Sequence, residues 1–545
     1  SEDERGIIIQ DLTSLFQDLI IPFLPTSSHS TANTFLEKVS QSIQIEFNLF
    51  QNRKDIFDSL EETAHENMWQ WVLDHWSKLR DGYFMMQFAS LQGNPIHPLA
   101  KLRMGFHEEE LIAYSPEYAN PIGIKVLAVS PTICKVSRKS LAIKVKEWFS
   151  SSYPLVYDSW CKALASEGYS PDNFYPFPIH PFQQTYLAKK FPAYLEKKLI
   201  VEVKDVSIPA QATMSTRTVM PLEAGSPHIK LPLNIQTTSM LRTHSPPRVH
   251  AGPILSRLIS EILAEDESLA SLVRIIPEPL GIYIDDADYY LQSQNPSYFL
   301  NVLYRINPCT LISDKDYYLP LSAIFEESPF THKPVILDIL ANHQANSEIA
   351  LEYFQAYAWT VIRGQVGLYV GYGIALEAHQ QNTGLILDAE GNLLYTLVGD
   401  LAGGVEIYEA ILNMNGYSIR EELHPVHKHL FSEGETPEQQ ILHTTFHYHL
   451  WPLAFIFSEE FGLNVGDLMR MMSKMIEQTI QYYVKNPPPR IPSTLITSYR
   501  QELERIKRVL LEEDVQVRSL LRMGLADSQN NIYTRGENPF VKWSN

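Results

Sequence analysis

Strand-like and helix-like segments are grouped along this chain, and that grouping most limits how it can fold. From about 176 to 370, runs of strand type come first, over 199–206, 217–221 and 229–236, and helical spacing follows over 251–265 and 345–363. The turn signal Asp388-Ala389-Glu390-Gly391-Asn392 separates two apolar runs, 385–387 and 393–398, and predicts a hairpin. From Glu406 onward the spacing is almost wholly helical, over 436–459, 465–484 and 498–513, with a break at Pro487-Pro488-Pro489. Ahead of 176, helical spacing appears over 7–24, 31–50, 61–87, 141–153 and 157–168. Short strands are expected over 109–130, and the proline- and aromatic-rich stretch 171–181 reads as a boundary loop. Trp69, Trp71 and Trp76 are expected in the core. Together these segments predict an α+β fold.

At 545 residues the chain is too long for one simple core and calls for two to four lobes. Its 63 acidic against 44 basic residues, a formal charge of −19, disfavour nucleic acid and an anionic membrane as partners. No apolar run reaches the length of a membrane span, and Ser1-Glu2-Asp3-Glu4-Arg5 does not resemble a secretory signal. Cys134, Cys161 and Cys309 lie far apart without a CxxC pair, which predicts reduced thiols and a cytoplasmic setting.

Against this acidic background, one stretch reverses sign. Ser215-Thr216-Arg217-Thr218 is followed by His228-Ile229-Lys230, then Thr237, Thr238, Arg242 and Thr243. Guanidinium forks suit carboxylate and phosphate oxygens, lysine adds a point charge, and hydroxyls donate to the same oxygens. The plainer alternative is a strand with Ile229, Leu231 and Leu233 on one face and Lys230 in solvent. Four further clusters carry chemistry. His97 stands with Lys101 and Arg103, and His180-Pro181-Phe182-Gln183 follows a proline. Glu377-Ala378-His379-Gln380-Gln381-Asn382 combines acid, imidazole and amides, and Asp400 precedes Gly403-Gly404. A site that adenylates or transfers phosphoryl groups needs cations for phosphates and a carboxylate for Mg²⁺. Gly367, Gly371 and Gly373 form no known phosphate loop. His443 and His447 lack the HExxH pattern of a zinc site and read as one histidine-lined helix face. Asp285-Asp286 reads as a solvated turn.

In combination and order, these clusters resemble the siderophore synthetases that work without a peptide-synthetase assembly line, the aerobactin-synthetase-like IucA/IucC family. The resemblance runs from about Gly93 to the C-terminus. It implies a three-lobed cupped hand, usually dimeric: a thumb (1–175), fingers with an antiparallel sheet and the nucleotide-phosphate contacts (176–370), and a mainly helical palm (371–545). It implies ATP- and Mg²⁺-dependent adenylation of a carboxylate, commonly of citrate, followed by attack of an amine or hydroxyl and release of AMP and pyrophosphate. Carried over by position, Ser215, Arg217, Thr218, Lys230, Gln381, Asn382 and Asp400 correspond to ATP contacts. Thr238, Arg242, His379 and His180 correspond to carboxylate-substrate contacts, and Arg242, His379 and Lys230 to the catalytic set. Asp400, with Glu377 beside it, is the candidate for Mg²⁺. The sequence departs from the family at Asn94, Phe182, Arg518 and Gly524, and the last two leave the substrate open. A phosphotransferase and a non-catalytic citrate- or siderophore-binding protein are the alternatives.

Overall fold

The structure is a computed structural model that describes residues 14, 21–23, 29–79, 82–93, 97, 99–238, 240–284, 296–423, 430–431, 436–512, 514–518 and 533–542. Nearly all of the helix expected over 7–24, together with Asn94, Asp285-Asp286 and Gly524, lies outside them.

The strand-rich part forms one nine-stranded sheet. Its order is Cys134–Arg138, Leu280–Ile284, Asn301–Arg305, His228–Lys230, Thr218–Pro221, Ser207–Ala212, Ile122–Val129 and Tyr175–Ile179, with Ile200–Val201 also paired to Ile122–Val129. Every pairing in it is antiparallel. One face is buried against the helices Val145–Ser152 and Pro154–Ser166 through Val126, Phe149, Trp160, Phe177 and Ile229. A second sheet of four strands holds the expected hairpin, Thr383–Leu387 with Leu393–Val398, flanked by Val273–Ile275 and Tyr317–Pro320. Against it pack the helices Ser347–Tyr372, Trp451–Phe461, Val465–Lys485 and Ile496–Leu510, in one core that also takes in Trp69, Trp71 and Trp76. The α+β expectation therefore holds.

Several boundaries differ from the sequence reading. The division at 175/176 cuts the nine-stranded sheet, because Ile122–Val129 lies between Ser207–Ala212 and Tyr175–Ile179. The supposed boundary loop contains the strand Tyr175–Ile179. Pro176 and Pro178 are tolerated there because this strand pairs on one side only, so no inter-strand donor is missed. The division at 370/371 falls inside the continuous helix Ser347–Tyr372. Residues 109–130 form one long strand, Ile122–Val129, preceded by the helix Glu108–Tyr114. Three glutamates in the first turn favour that helix start, and Glu110 accepts from the His107 N–H at 2.8 Å. The mainly helical C-terminal region also contains a hairpin, Asp514–Arg518 with Tyr533–Glu537, and Arg518 ends its first strand. Cys309 is buried, Cys134 and Cys161 are half-buried, and none of the three is in a disulfide. Among the described residues no helix is long and apolar enough to cross a membrane.

Candidate active site

The sign-reversing stretch begins as a tight turn. Thr216 N–H donates to Thr213 O at 2.8 Å, Thr218 N–H donates to Ser215 Oγ at 3.0 Å, and Thr216 has φ +61°. The turn projects Arg217 inward, where NH1 donates to the carbonyls of Arg242 at 3.3 Å and Thr243 at 3.1 Å. Arg242 in turn donates from Nε to Thr237 Oγ1 and from NH2 to Thr238 Oγ1, the latter at 3.0 Å. Thr238 also has a left-handed backbone, φ +54°. Both guanidiniums are thus aimed by the chain that carries them.

Lys230 does not reach solvent. It is 2% exposed, and its ammonium is paired with Asp400 Oδ1. Arg305 NH2 meets the same oxygen at 3.1 Å and Glu278 Oε1 at 2.8 Å. Glu278 Oε2 accepts the Ala402 N–H at 2.9 Å, which fixes the chain just after Asp400. Burial would raise the Asp400 pKa, but Lys230, Arg305 and Arg217 together hold it well below the usual carboxylate range. Burial, with the neighbouring arginines against it and Asp400 partly offsetting, lowers Lys230 to about 8. The Arg217 guanidinium falls to about 9 through burial and the charge of Arg242.

The loop between Ile374–Leu376 and Thr383–Leu387 supplies the facing wall. His379 Nδ1 accepts the Gln381 N–H at 3.1 Å, and Gln381 Nε2 reaches Met214 O at 2.8 Å, tying this loop to the Thr213–Thr218 turn. Asn382 Nδ2 donates to Glu377 O at 3.2 Å. These groups border a cavity of about 340 Å³, together with Ser215, Arg217, Thr238, Arg242 and Asp400. Thr218 and Lys230 stand behind its lining: Thr218 Oγ1 is buried without a partner among the described residues, and Lys230 is paired with Asp400.

On a third side the Met104 and Gln236 backbones pair, seating residues 99–106 against the loop that leads to Arg242. Lys101 and Arg103 share the buried carboxylate of Glu117, at 3.0 and 2.8 Å. Burial would raise the Glu117 pKa, but Arg103 and Lys101 draw it down to about 2. His97 also faces the cavity, and burial next to Arg242 lowers its pKa to about 4.

His180 is not part of this lining. It is fully buried, caps the helix Pro181–Gln184 by accepting the Phe182 N–H at Nδ1, and packs edge-on against Tyr114 at 4.7 Å. The expected carboxylate contact is therefore corrected to a structural role. The motif acts through Gln183, whose Oε1 accepts the Asn234 N–H at 3.0 Å and so steadies the loop carrying Thr237, Thr238 and Arg242.

Sequence reasoning missed Arg248, Glu278, Arg305 and Tyr448. The first three offer no local signal, being isolated charges in separate segments. His443 and Tyr448 both face the cavity from the π-helix Leu442–Leu450. The wider winding brings these two residues, five apart, into edge-to-face contact at 4.6 Å, where α-helical winding would turn them apart.

Among the described residues no cluster of three or more His, Cys, Asp or Glu forms a cage. A Cβ on Gly404 would stand 2.6 Å from Glu377 Oε2, so this glycine makes room for that carboxylate, and Asp400 lines the same cavity. Such a cradle fits an ion held mainly by phosphate oxygens and water.

Residues 83–326 match the IucA/IucC family, and residues 351–532 match a family described as ferric iron reductase FhuF-like transporter. The IucA/IucC match takes in somewhat less than half of the chain. It is 26% identical over 489 residues to the D-ornithine–citrate ligase of Staphylococcus aureus, covering 85% of this chain and 71% of that one. Its fold is similar to that of the petrobactin biosynthesis protein AsbB from Bacillus anthracis, with a TM-score of 0.78 at 18% identity over 98% of this chain and 83% of that one. The ATP-bound aerobactin synthetase IucA of Klebsiella pneumoniae gives a TM-score of 0.71 at 18% identity, over 97% and 85% of the two chains. The IucA/IucC match takes in the turn at Ser215–Thr218 and Arg242, and the second match takes in His379 and Asp400.

Proposed function

We propose that this chain is an ATP-dependent ligase of the IucA/IucC kind that adenylates a carboxylate of citrate or a citryl derivative. It then condenses the acyl-adenylate with an amine or hydroxyl and releases AMP and pyrophosphate. The observation that carries this reading is the convergence of Arg217, Arg242 and His379 on one cavity in front of the buried Lys230–Asp400–Arg305 cluster. The likeness to a citrate ligase and to an ATP-bound synthetase supports it.

Adenylation brings two anions together. Arg242, aimed by Thr237 and Thr238, is suited to the carboxylate, with His379 beside it; Arg217 and Ser215 are suited to the phosphate chain. In this desolvated cluster, fixed cations stabilise the charge that builds on the α-phosphate as the carboxylate oxygen attacks phosphorus and pyrophosphate departs. The acceptor nitrogen or oxygen then attacks the acyl carbon, and the bond to AMP breaks. Gln381 and Asn382 hold the nucleotide side of the loop. Asp400 and Glu377 are the residues suited to hold Mg²⁺, which when bound offsets the charge of the phosphate chain.

Product analysis tests the reading. With ATP, citrate and a panel of amines and hydroxylamine, AMP and pyrophosphate are the expected products. ADP and phosphate would instead establish a phosphotransferase, and absence of any turnover with intact citrate binding would establish a binding protein. The homodimer implied by the family is tested by sedimentation.

A further inference from the structure

The cations at the cavity are not equally occupied. Arg217 spends NH1 on two carbonyls, and Arg242 spends Nε and NH2 on threonine hydroxyls. Lys230 and Arg305 are held by Asp400, and Lys101 and Arg103 by Glu117. Arg248 differs. It lines the cavity, yet among the described residues its guanidinium has neither a hydrogen bond nor an ion pair.

Its placement is set by the helix Pro246–Glu265. Ser245 caps that helix by accepting the Arg248 N–H at 3.4 Å, and the Val249 N–H goes to Ser245 O at 3.2 Å. Pro246 and Pro247 have no N–H to give. No amide of this helix start is left for a ligand, so its binding capacity resides in the Arg248 side chain. Around it, Arg217, Lys230, Arg242 and Arg305 outnumber Asp400, Glu278 and Glu377, so with Arg248 the cluster carries excess positive charge that an incoming anion would offset.

We propose that Arg248 is an oxyanion receptor of this cavity, binding carboxylate or phosphate oxygens of a substrate that Arg217 and Arg242 alone do not satisfy. This inference rests on the adenylating reading above.

The test uses calorimetry on the full chain and on Arg248→Gln and Arg248→Lys, with citrate, inorganic pyrophosphate, ATP and AMP as probes. Losing one charge-assisted contact should weaken the affected ligand roughly ten- to hundredfold in the Gln variant. The Lys variant should recover part of this, since it keeps the charge but not the fork. Weakening of citrate alone assigns the contact to a carboxylate. Weakening of ATP and pyrophosphate with AMP unchanged assigns it to the phosphate chain. Wild-type affinities for all probes in the Gln variant would overturn the proposal, as would a uniform loss that includes AMP. If the wild-type chain binds neither ATP nor citrate, the adenylating reading itself fails.

Discussion

Arg305 donates to Asp400 across 3.1 Å although 95 positions separate them in the chain. Arg305 ends a strand of the nine-stranded sheet, and Asp400 follows the hairpin of the four-stranded one, so this contact and the Lys230 pair on the same oxygen fasten the two sheets at the cavity.

Asp400→Asn tests that fastening. Asparagine accepts the left-handed backbone of position 400, φ +61°, so the substitution removes charge without new backbone strain. From sequence alone the variant is expected to keep its fold undisturbed. The structure shows buried Lys230 losing its carboxylate while Arg305 keeps Glu278, which should cost about 3–5 kcal/mol. Urea unfolding reads the loss, and an unchanged midpoint would mean the pairs contribute nothing.

His180 separates a structural role from a binding one. His180→Ala should lower stability by about 1 kcal/mol through the lost cap, and His180→Asn should recover much of it, since asparagine caps well. Citrate affinity should stay at the wild-type level in both. A large loss of citrate binding at unchanged melting temperature would return His180 to the binding residues.

Lys230 gives the site a pH limit. Its pKa is lowered to about 8, so the ammonium is present below that value and is lost as the pH rises through it. Affinity for ATP should therefore fall between roughly pH 7 and 9. Lys230→Arg should shift that limb to higher pH, because a guanidinium keeps its proton. A wild-type profile flat to pH 9.5 would contradict the placement.

Glu117 acts in the opposite direction. Its pKa is drawn from 4.5 down to about 2, so its contribution to stability is complete above 4.5 and is lost as the pH falls through 2. Acid titration of the melting temperature should show this slope, and Glu117→Gln should flatten it while destabilising the protein at pH 7.

The parts of the site that were legible lie close together in sequence. Ser215, Arg217 and Thr218 share one turn, and His379 to Asn382 one loop, so composition and order exposed them. The hairpin at Asp388–Asn392 was legible because its turn chemistry is local. Glu278, Arg305 and Arg248 act through contacts made only once the sheets and the helix Pro246–Glu265 assemble, and no short-range pattern marks them. His180 misled because a proline-flanked imidazole looks the same whether it caps a helix or holds a ligand. Pro176 and Pro178 misled because their tolerance depends on being at a sheet edge, a property of the whole sheet. Tyr448 was hidden by assuming α-helical spacing where the chain is wound as a π-helix.

Thr216, Thr238 and Asp400 keep left-handed backbones at the cavity wall without being glycine. Each such residue costs on the order of 1–3 kcal/mol. Directed evolution for heat resistance should find positions 216 and 238 early, because glycine there would relieve that strain, whereas Asp400 is retained by its pairs with Lys230 and Arg305. The same glycines would let the turn at 216 and the bend at 238 wander. Thermostable descendants selected without an activity screen should therefore tend to be poorer catalysts.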